Sequence, residues 1–301
     1  ACGYDLGDPT EPWTTARAGL VTEVPFPFEP LDTNGNRVSI WGRTYELGSM
    51  LPAQIKNQGV TVFRRAPQVV IQAGGQRYEL GEGTAVLGLD RPDRVEWTGE
   101  RSAGTVRFRG AGWLEYDGVM RVDLTVSAEE STEVEYLGIE FPLVPDVARF
   151  IHYHTVWGKH DNLAVPDEVG DSLEFPWQST WWLGDHDRGL TVFTENDFDW
   201  SNGPAAISIE RRDDALVLRL NIWTQPRQLN TPVTFSIGLH PTPSKPLPRQ
   251  WQARYVSFSG GKLLPASYTT MWHQNQKFYS YPQPADADGY RNSIEKKHQQ
   301  N

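Results

Sequence analysis

The sequence predicts a mainly β protein built as a large antiparallel β-sandwich. Three observations lead to this prediction: apolar and polar residues alternate along several segments, turn residues separate those segments, and helical periodicity is almost absent before residue 285. The clearest alternation covers residues 119–127, and segments 215–223 and 233–239 repeat it. One apolar and one polar face is typical of an antiparallel sheet with one packed side. In segment 119–127 the expected core residues are Met120, Val122, Leu124 and Val126.

Turn chemistry lies between these segments. Gly74 and Gly75 separate residues 69–72 from 76–80, which predicts a β-hairpin. Asp117-Gly118 and residues 184–189 divide further segments in the same way. Because more than about 200 residues carry this pattern, against about 100 in an immunoglobulin domain, we expect a double sandwich with extra strands in each sheet.

Composition divides the chain into three parts. Residues 1–240 are predicted to form the sandwich. Residues 241–250 are predicted to be a stiff linker, because four prolines fall between positions 240 and 248 and proline is excluded from central strands. Residues 251–301 then hold two short strand signals and a helix signal near 290–298, which look like the incomplete first unit of an α/β barrel. The alternative is a strand and helix that fold back on the sandwich.

Charge and motif content exclude several classes of function. The net charge of −10 repels phosphate backbones, so we expect no nucleic-acid partner. The sequence contains no stretch of about 18 apolar residues, so no membrane span is predicted. Cys2 is the one cysteine, which excludes a disulfide framework and a cysteine-based zinc site. No glycine-rich phosphate loop occurs, and no cofactor is expected.

A histidine-rich segment offers a possible metal site. His152 and His154 share one face of a predicted strand, and with His160 or Asp161 they could ligate a divalent ion. The alternative, a polar sheet face followed by a loop, is favoured because no third ligand has a fixed position. We therefore predict no metal.

A tryptophan-rich segment offers aromatic rings that could stack on sugar C–H groups. Trp177, Trp181 and Trp182 form this cluster. Trp181 and Trp182 are neighbours in a predicted strand, so they point to opposite faces. At least one of them is expected in the core.

Acidic residues lie on both sides of this cluster in the sequence. A glycosidase needs two carboxyl groups separated by roughly 5–9.5 Å across the scissile bond. Candidates in the predicted sandwich include the adjacent Asp167-Glu168 and a second group: Asp185, Asp187, Glu195, Asp197 and Asp199. Turn and edge-strand carboxylates are much commoner than catalytic ones, so no catalytic residue is assigned.

Four residues near the C-terminus are predicted to bind substrate: Trp272, His273, Tyr279 and Tyr281. They follow the strand signal at 268–272. If that strand opens a barrel, they lie at its C-terminal face, where such folds build their active sites. The alternative is a surface loop with ordinary aromatic anchors.

Several scattered segments resemble the N-terminal sandwich of proteins similar to glycoside hydrolase family 123. They include residues 39–47, 51–55, 115–120, 182–190 and 195–200 and the proline-rich 241–248. The resemblance implies a β-sandwich joined to a (β/α)8 barrel that carries the hydrolase site. It also implies removal of N-acetylgalactosamine with an adjacent Asp-Glu pair in the barrel and the substrate's acetamido group as nucleophile. Asp167-Glu168 does not match that pair, because it lies in the sandwich.

The resulting hypothesis is a non-catalytic β-sandwich portion of a glycoside hydrolase acting on an N-acetylhexosamine or other glycan. Its expected partners are the glycan substrate and the barrel that holds the catalytic residues. Two alternatives remain: a free-standing carbohydrate-binding protein, and a metal- or histidine-dependent sandwich enzyme such as a lyase. Secretion or a periplasmic location is expected only by analogy with enzymes that degrade polysaccharides.

Overall fold

The computed structural model describes residues 22–156, 159–165, 172–246 and Asp288, without the side chains of residues 154–162. The described residues between 22 and 246 form strands and one short 3-10 helix at Pro145–Val147. The strands are β1 (Asp32–Asn34), β2 (Arg37–Ile40), β3 (Arg43–Leu47), β4 (Pro52–Asn57), β5 (Val60–Thr61), β6 (Gln68–Ala73), β7 (Gln76–Leu80), β8 (Val86–Asp90), β9 (Arg94–Ala103), β10 (Val106–Glu115), β11 (Met120–Ala128), β12 (Thr132–Leu143), β13 (Phe150–Val156), β14 (Lys159–Ala164), β15 (Leu173–Phe175), β16 (Thr180–Gly184), β17 (Gly189–Thr194), β18 (Ile207–Arg212), β19 (Ala215–Trp223), β20 (Arg227–Leu229) and β21 (Val233–Thr242).

These strands form three antiparallel sheets. The nine-stranded sheet has the order β14-β13-β16-β17-β21-β11-β10-β9-β8. The seven-stranded sheet has the order β15-β18-β19-β12-β6-β7, with β20 paired to β12. A five-stranded sheet contains β1 to β5 in sequence order. Buried residues of all three sheets form one hydrophobic cluster, so the predicted antiparallel sandwich is confirmed.

The alternation in the sequence identifies the core face of β11. Met120, Val122, Leu124 and Val126 are all at most 1% exposed, whereas Arg121 and Asp123 between them are half-buried. The predicted hairpin also forms, because β6 and β7 are joined by Gly74 and Gly75, both with positive φ.

One face of β19 differs from the sequence prediction. Leu216, Leu218 and Leu220 face the core as expected, but Val217 and Asn221 on the opposite face are buried as well. The reason is a layer of long polar side chains that lies across this face of the seven-stranded sheet. Its members are Tyr136, Glu140, Glu210, Arg212 and Arg219.

The five-stranded sheet is attached to the sandwich by buried polar side chains. Arg43, only 2% exposed, donates to the carbonyl oxygens of Asp117 (2.7 Å) and Ser244 (2.6 Å). The Tyr45 hydroxyl donates to the Gly118 carbonyl at 3.0 Å. Burial lowers the pKa of Arg43 and raises that of Tyr45, because it disfavours the charged form of each group. The hydrogen bonds to the carbonyl oxygens compensate both side chains for the water that they lose on burial.

The C-terminal boundary of the sandwich differs from the prediction by a few residues. Strand β21 includes Pro241 and Thr242, which were expected in the linker. Pro241 is tolerated because β21 pairs with β11 only as far as Leu239, so no partner on that side requires its missing N–H. The chain divides into two compact units, Ala1–Lys245 and Pro246–Asn301. The predicted barrel unit at 251–301 lies, apart from Asp288, outside the described residues.

No helix in the described part of the chain is long and apolar enough to cross a membrane.

Candidate functional site

The outer face of the nine-stranded sheet, which is turned away from the core, carries both aromatic and charged side chains. Successive side chains of a strand point to opposite faces of the sheet. In β10, β11, β16 and β17 every second side chain is buried in the core, so the side chains between them lie on the outer face. Strand pairing aligns Trp113 of β10 with Glu96 of β9 on one side and with Arg121 of β11 on the other. In the next row Ala111 lies between Thr98 and Asp123. The outer face is therefore a polar sheet surface with embedded rings.

A cleft of about 350 Å³ opens on this face at the edge strand β8. Its lining includes Val86 and Gly88 from β8, Glu96 from β9, Trp113 from β10 and Asp123 from β11. We call it the Trp113 cleft. The cleft forms because Ala111, an exposed residue with a one-carbon side chain, lies in a row of larger neighbours.

Arg94 fixes the position of the Trp113 ring. Its guanidinium carbon lies 4.6 Å from the ring centroid, which is cation–π distance. The same guanidinium forms ion pairs with Glu96 Oε1 at 2.7 Å and Glu115 Oε1 at 2.8 Å. The tryptophan and Glu96 are thus held by one shared partner.

Arg121 fixes the other carboxylate of the Trp113 cleft. Its Nε donates to Asp123 Oδ1 at 3.0 Å, and its Nη2 donates to Ser236 Oγ at 3.0 Å and to Glu195 Oε2 at 2.9 Å. The Ser236 hydroxyl in turn donates to Asp123 Oδ1 at 2.6 Å. Two strands therefore orient this carboxylate directly, β11 through Arg121 and β21 through Ser236, while Glu195, just after β17, pairs with Arg121.

The tryptophan cluster predicted from the sequence divides between the two faces. Trp181 is core, 1% exposed, with its ring stacked on Tyr153 at 4.6 Å. Trp182 lies on the outer face, half-buried against Gly184 and Gly189, and its Nε1 donates to Thr242 Oγ1 at 3.0 Å. The expectation that at least one of this adjacent pair is core is confirmed.

The histidine segment lies in the β13–β14 hairpin. Strand pairing aligns His152 with Trp182 and His154 with His160. The side chains of residues 154–162 lie outside the described part of the chain, so a metal site in this hairpin stays a hypothesis. No group of three or more potential ligands forms among the described side chains.

The candidate carboxylates of the sandwich have structural partners. Asp185 Oδ1 accepts from the backbone nitrogens of Asp187 (2.7 Å) and Arg188 (2.8 Å), which closes the β16–β17 turn. Asp197 accepts from Asn202 Nδ2 at 2.7 Å, and Asp199 pairs with Arg227 at 3.3 Å. Glu195 pairs with Arg121, as described above, and Asp187 lies 3.6 Å from the Arg188 guanidinium. Asp167 and Glu168 lie outside the described residues.

The four residues predicted to bind substrate also lie outside the described residues, and they stay a prediction: Trp272, His273, Tyr279 and Tyr281. The Trp113 cleft was not singled out from the sequence. Its only sequence signal is the polar face of each alternating strand, because residues from β8 to β11 come together only through strand pairing.

Comparisons with solved structures gave remote similarities. A putative aldose 1-epimerase from Escherichia coli K12 matches with 12% identity and a TM-score of 0.40, over 71% of this chain and 98% of the other. The α-N-acetylgalactosaminidase NagBb from Bifidobacterium bifidum, in complex with GalNAc, matches with 11% identity and a TM-score of 0.44, over 70% of this chain and 36% of the other. A heparan sulfate lyase HepC mutant from Pedobacter heparinus matches with 8% identity and a TM-score of 0.43, over 73% of this chain and 37% of the other. Similarity at this level carries no conclusion about activity or substrate.

No curated protein sequence matches the chain. A protein-family profile does, and it covers residues 31–204, more than half of the chain. Its description is glycoside hydrolase 123, third domain, so the family expected from the sequence is confirmed, although the resemblance had suggested an N-terminal position. The match covers β1 to β17 and therefore most of the nine-stranded sheet. The chain belongs to the glycoside hydrolase 123 third-domain family.

Proposed function

We propose that this chain is a non-catalytic β-sandwich domain of a glycoside hydrolase that acts on an N-acetylhexosamine or another glycan. Family membership supports a domain of a carbohydrate-active enzyme. The resemblance noted in the sequence favours N-acetylgalactosamine as the sugar. The catalytic carboxylates then belong to a barrel domain of the same enzyme, which is the expected partner.

The observation that carries this proposal is how the sandwich uses its carboxylates. Hydrolysis of a glycosidic bond needs two carboxyl groups that face the same sugar at a separation of roughly 5–9.5 Å. Asp185, Asp197 and Asp199 instead close turns or pair with neighbouring side chains. The two carboxylates of the Trp113 cleft, Glu96 and Asp123, are each held in an ion pair with an arginine. One of a catalytic pair commonly has a raised pKa. The pKa values of Glu140 and Asp214 are instead lowered, with hydrogen bonds from Arg212 and Arg64 respectively among the causes, which is the opposite of what a general acid requires.

The test compares this chain with the full-length enzyme on p-nitrophenyl N-acetylgalactosaminide and N-acetylglucosaminide. We expect the full-length enzyme to release nitrophenol from at least one of them and the 301-residue chain to release none above the buffer rate. A chain that turned over either substrate at about 1 s⁻¹, an ordinary enzymatic rate, would contradict the proposal.

A second function, glycan binding, is favoured by the Trp113 cleft. An aromatic ring beside fixed carboxylates matches what sugars require, since their C–H faces pack on rings and their hydroxyls bond to carboxylate oxygens. Binding and absence of turnover are compatible in one domain. The third possibility, a histidine-dependent sandwich enzyme, would require the activity of this chain to fall in a His152→Ala variant.

A further inference from the structure

We propose that the Trp113 cleft is a binding site for a neutral glycan, one without sulfate or uronic acid groups. The proposal rests on the proposed function in that it assumes a carbohydrate ligand. It adds a location, a set of contacting residues and a class of sugar.

The shape of the cleft fits a small ligand. Its volume of about 350 Å³ lies inside the range of about 300–1,000 Å³ that is common for small-molecule sites. Residues with little or no side chain, Ala111 and Gly88, leave the central space open. Larger side chains surround it: Trp113, Glu96, Asp123 and Val86. The base of the cleft is therefore mostly backbone, and larger side chains with functional groups surround its opening.

The contacting groups are held in place before any ligand arrives. Trp113 is half-buried and lies against the Arg94 guanidinium, which also pairs with Glu96. Asp123 accepts hydrogen bonds from both Arg121 and Ser236. A rigid ring and oriented carboxylates reduce the conformational entropy that is lost when a ligand binds, and this raises the affinity for the ligand.

Charge selects the class of sugar. Around the cleft lie two arginines, Arg94 and Arg121, and four acids: Glu96, Glu115, Asp123 and Glu195. The balance is two positive against four negative charges, or −2. Arg109 in the neighbouring row is aligned with Glu100, so this pair leaves the balance unchanged. The field at the cleft opposes a sulfate or carboxylate ligand and tolerates a neutral sugar, whose hydroxyls donate to Glu96 and Asp123.

The experiment is a glycan array probed with the 301-residue chain. The array carries neutral glycans built from N-acetylhexosamine, galactose, mannose and glucose, and anionic ones, namely heparin fragments, oligogalacturonates and sialylated glycans. We expect signals on the neutral group and a Trp113→Ala variant whose affinity for the best neutral glycan falls about tenfold or more. Ala111→Leu, which fills the floor of the cleft without removing a contact, should weaken binding similarly. Phe198→Ala is the matched control, because Phe198 is an aromatic residue 75% exposed outside the cleft.

A charge variant separates recognition from a structural role. In Glu96→Gln combined with Asp123→Asn, the ratio of anionic to neutral binding should rise, whereas a purely structural pair would leave that ratio unchanged. The proposal is overturned if no glycan binds, if anionic glycans bind more strongly than neutral ones, or if Trp113→Ala and Ala111→Leu bind like the parent chain. None of these outcomes affects the turnover assay, so the failure of the binding site and the failure of the non-catalytic assignment remain distinguishable.

Discussion

Glu140 of β12 is the most completely buried carboxylate among the described residues. Its side chain lies on the outer face of the seven-stranded sheet, and it is 0% exposed because other side chains cover it. Arg212 and Arg219 both donate to Glu140 Oε1, at 2.9 and 3.0 Å, and Gln68 donates to Oε2 at 2.9 Å. Burial alone would raise the pKa of Glu140, but the hydrogen bonds from Arg212 and Gln68 outweigh it and hold the pKa below its usual value.

We predict that Glu140→Gln lowers the free energy of unfolding by roughly 2–3 kcal/mol at pH 7, because partly buried arginines lose their shared counter-charge. A carboxylate with a lowered folded-state pKa stabilises the protein above its unfolded pKa, about 4.3, and this contribution is lost as the pH falls through the folded value. The difference between parent and variant should therefore shrink below about pH 4.3. Urea denaturation curves recorded by tryptophan fluorescence at several pH values between 7 and 3 measure this difference in unfolding free energy.

The matched control is Glu79→Gln. Glu79 is 48% exposed and pairs with Arg77, so its loss should cost less than about 0.5 kcal/mol. Equal losses in the two variants would show that the buried network does not contribute as described.

At the scale of elements, the β3–β4 turn joins the five-stranded sheet to the sandwich core. Met50 and Leu51 of this turn are buried, and its backbone crosses β9 and β10 at a pair of aligned glycines, Gly99 and Gly110. A Cβ atom at Gly99 would overlap the backbone of Ser49, and one at Gly110 would lie 2.7 Å from Met50 Cα. The two glycines are therefore required by close approach of another chain segment.

We predict that Gly99→Ala lowers the free energy of unfolding by at least about 2 kcal/mol, since the clash is with backbone that cannot rotate away. Gly81→Ala is the control, because the nearest atom to its added carbon is 3.6 Å away, and its effect should stay below about 1 kcal/mol. The measurement is the urea unfolding midpoint of each variant, compared with that of the parent chain. Indistinguishable midpoints would mean that the turn moves without cost.

At the scale of the whole molecule, the sandwich has one continuous core. The buried hydrophobic cluster begins at Leu31 and continues to Leu239, and it draws on all three sheets. Its members alternate with outward side chains in most strands, as in β10 and β11. We therefore expect this unit to fold independently, because it has its own hydrophobic core.

We predict that a chain limited to residues 22–246 folds and unfolds in one cooperative transition. Its free energy of unfolding should lie within about 1 kcal/mol of that of the sandwich transition in the full chain, because no described core residue is removed. Circular dichroism and fluorescence during urea denaturation should give coincident curves. Separate transitions, or a truncated chain that does not fold, would contradict the prediction.

Local patterns in the sequence were sufficient for the class of fold and for much of the core. Alternation in β11 identified Met120 and Leu124 as buried, and the glycines at 74 and 75 identified the β6–β7 hairpin, because both signals depend on neighbouring residues. The same reasoning placed one ring of the Trp181-Trp182 pair in the core. It could not place Val217 and Asn221, since their burial depends on side chains from other strands.

The sequence by itself determined that this protein is an antiparallel sandwich with alternating faces, because strand period and turn chemistry are local properties. Only the tertiary structure decided which outward residues meet. Glu96, Trp113 and Asp123 lie on three strands, and strand pairing aligns them around Ala111. Register is fixed jointly by packing of the core faces and by the turns, so the candidate site follows from contacts between segments that are distant in the sequence.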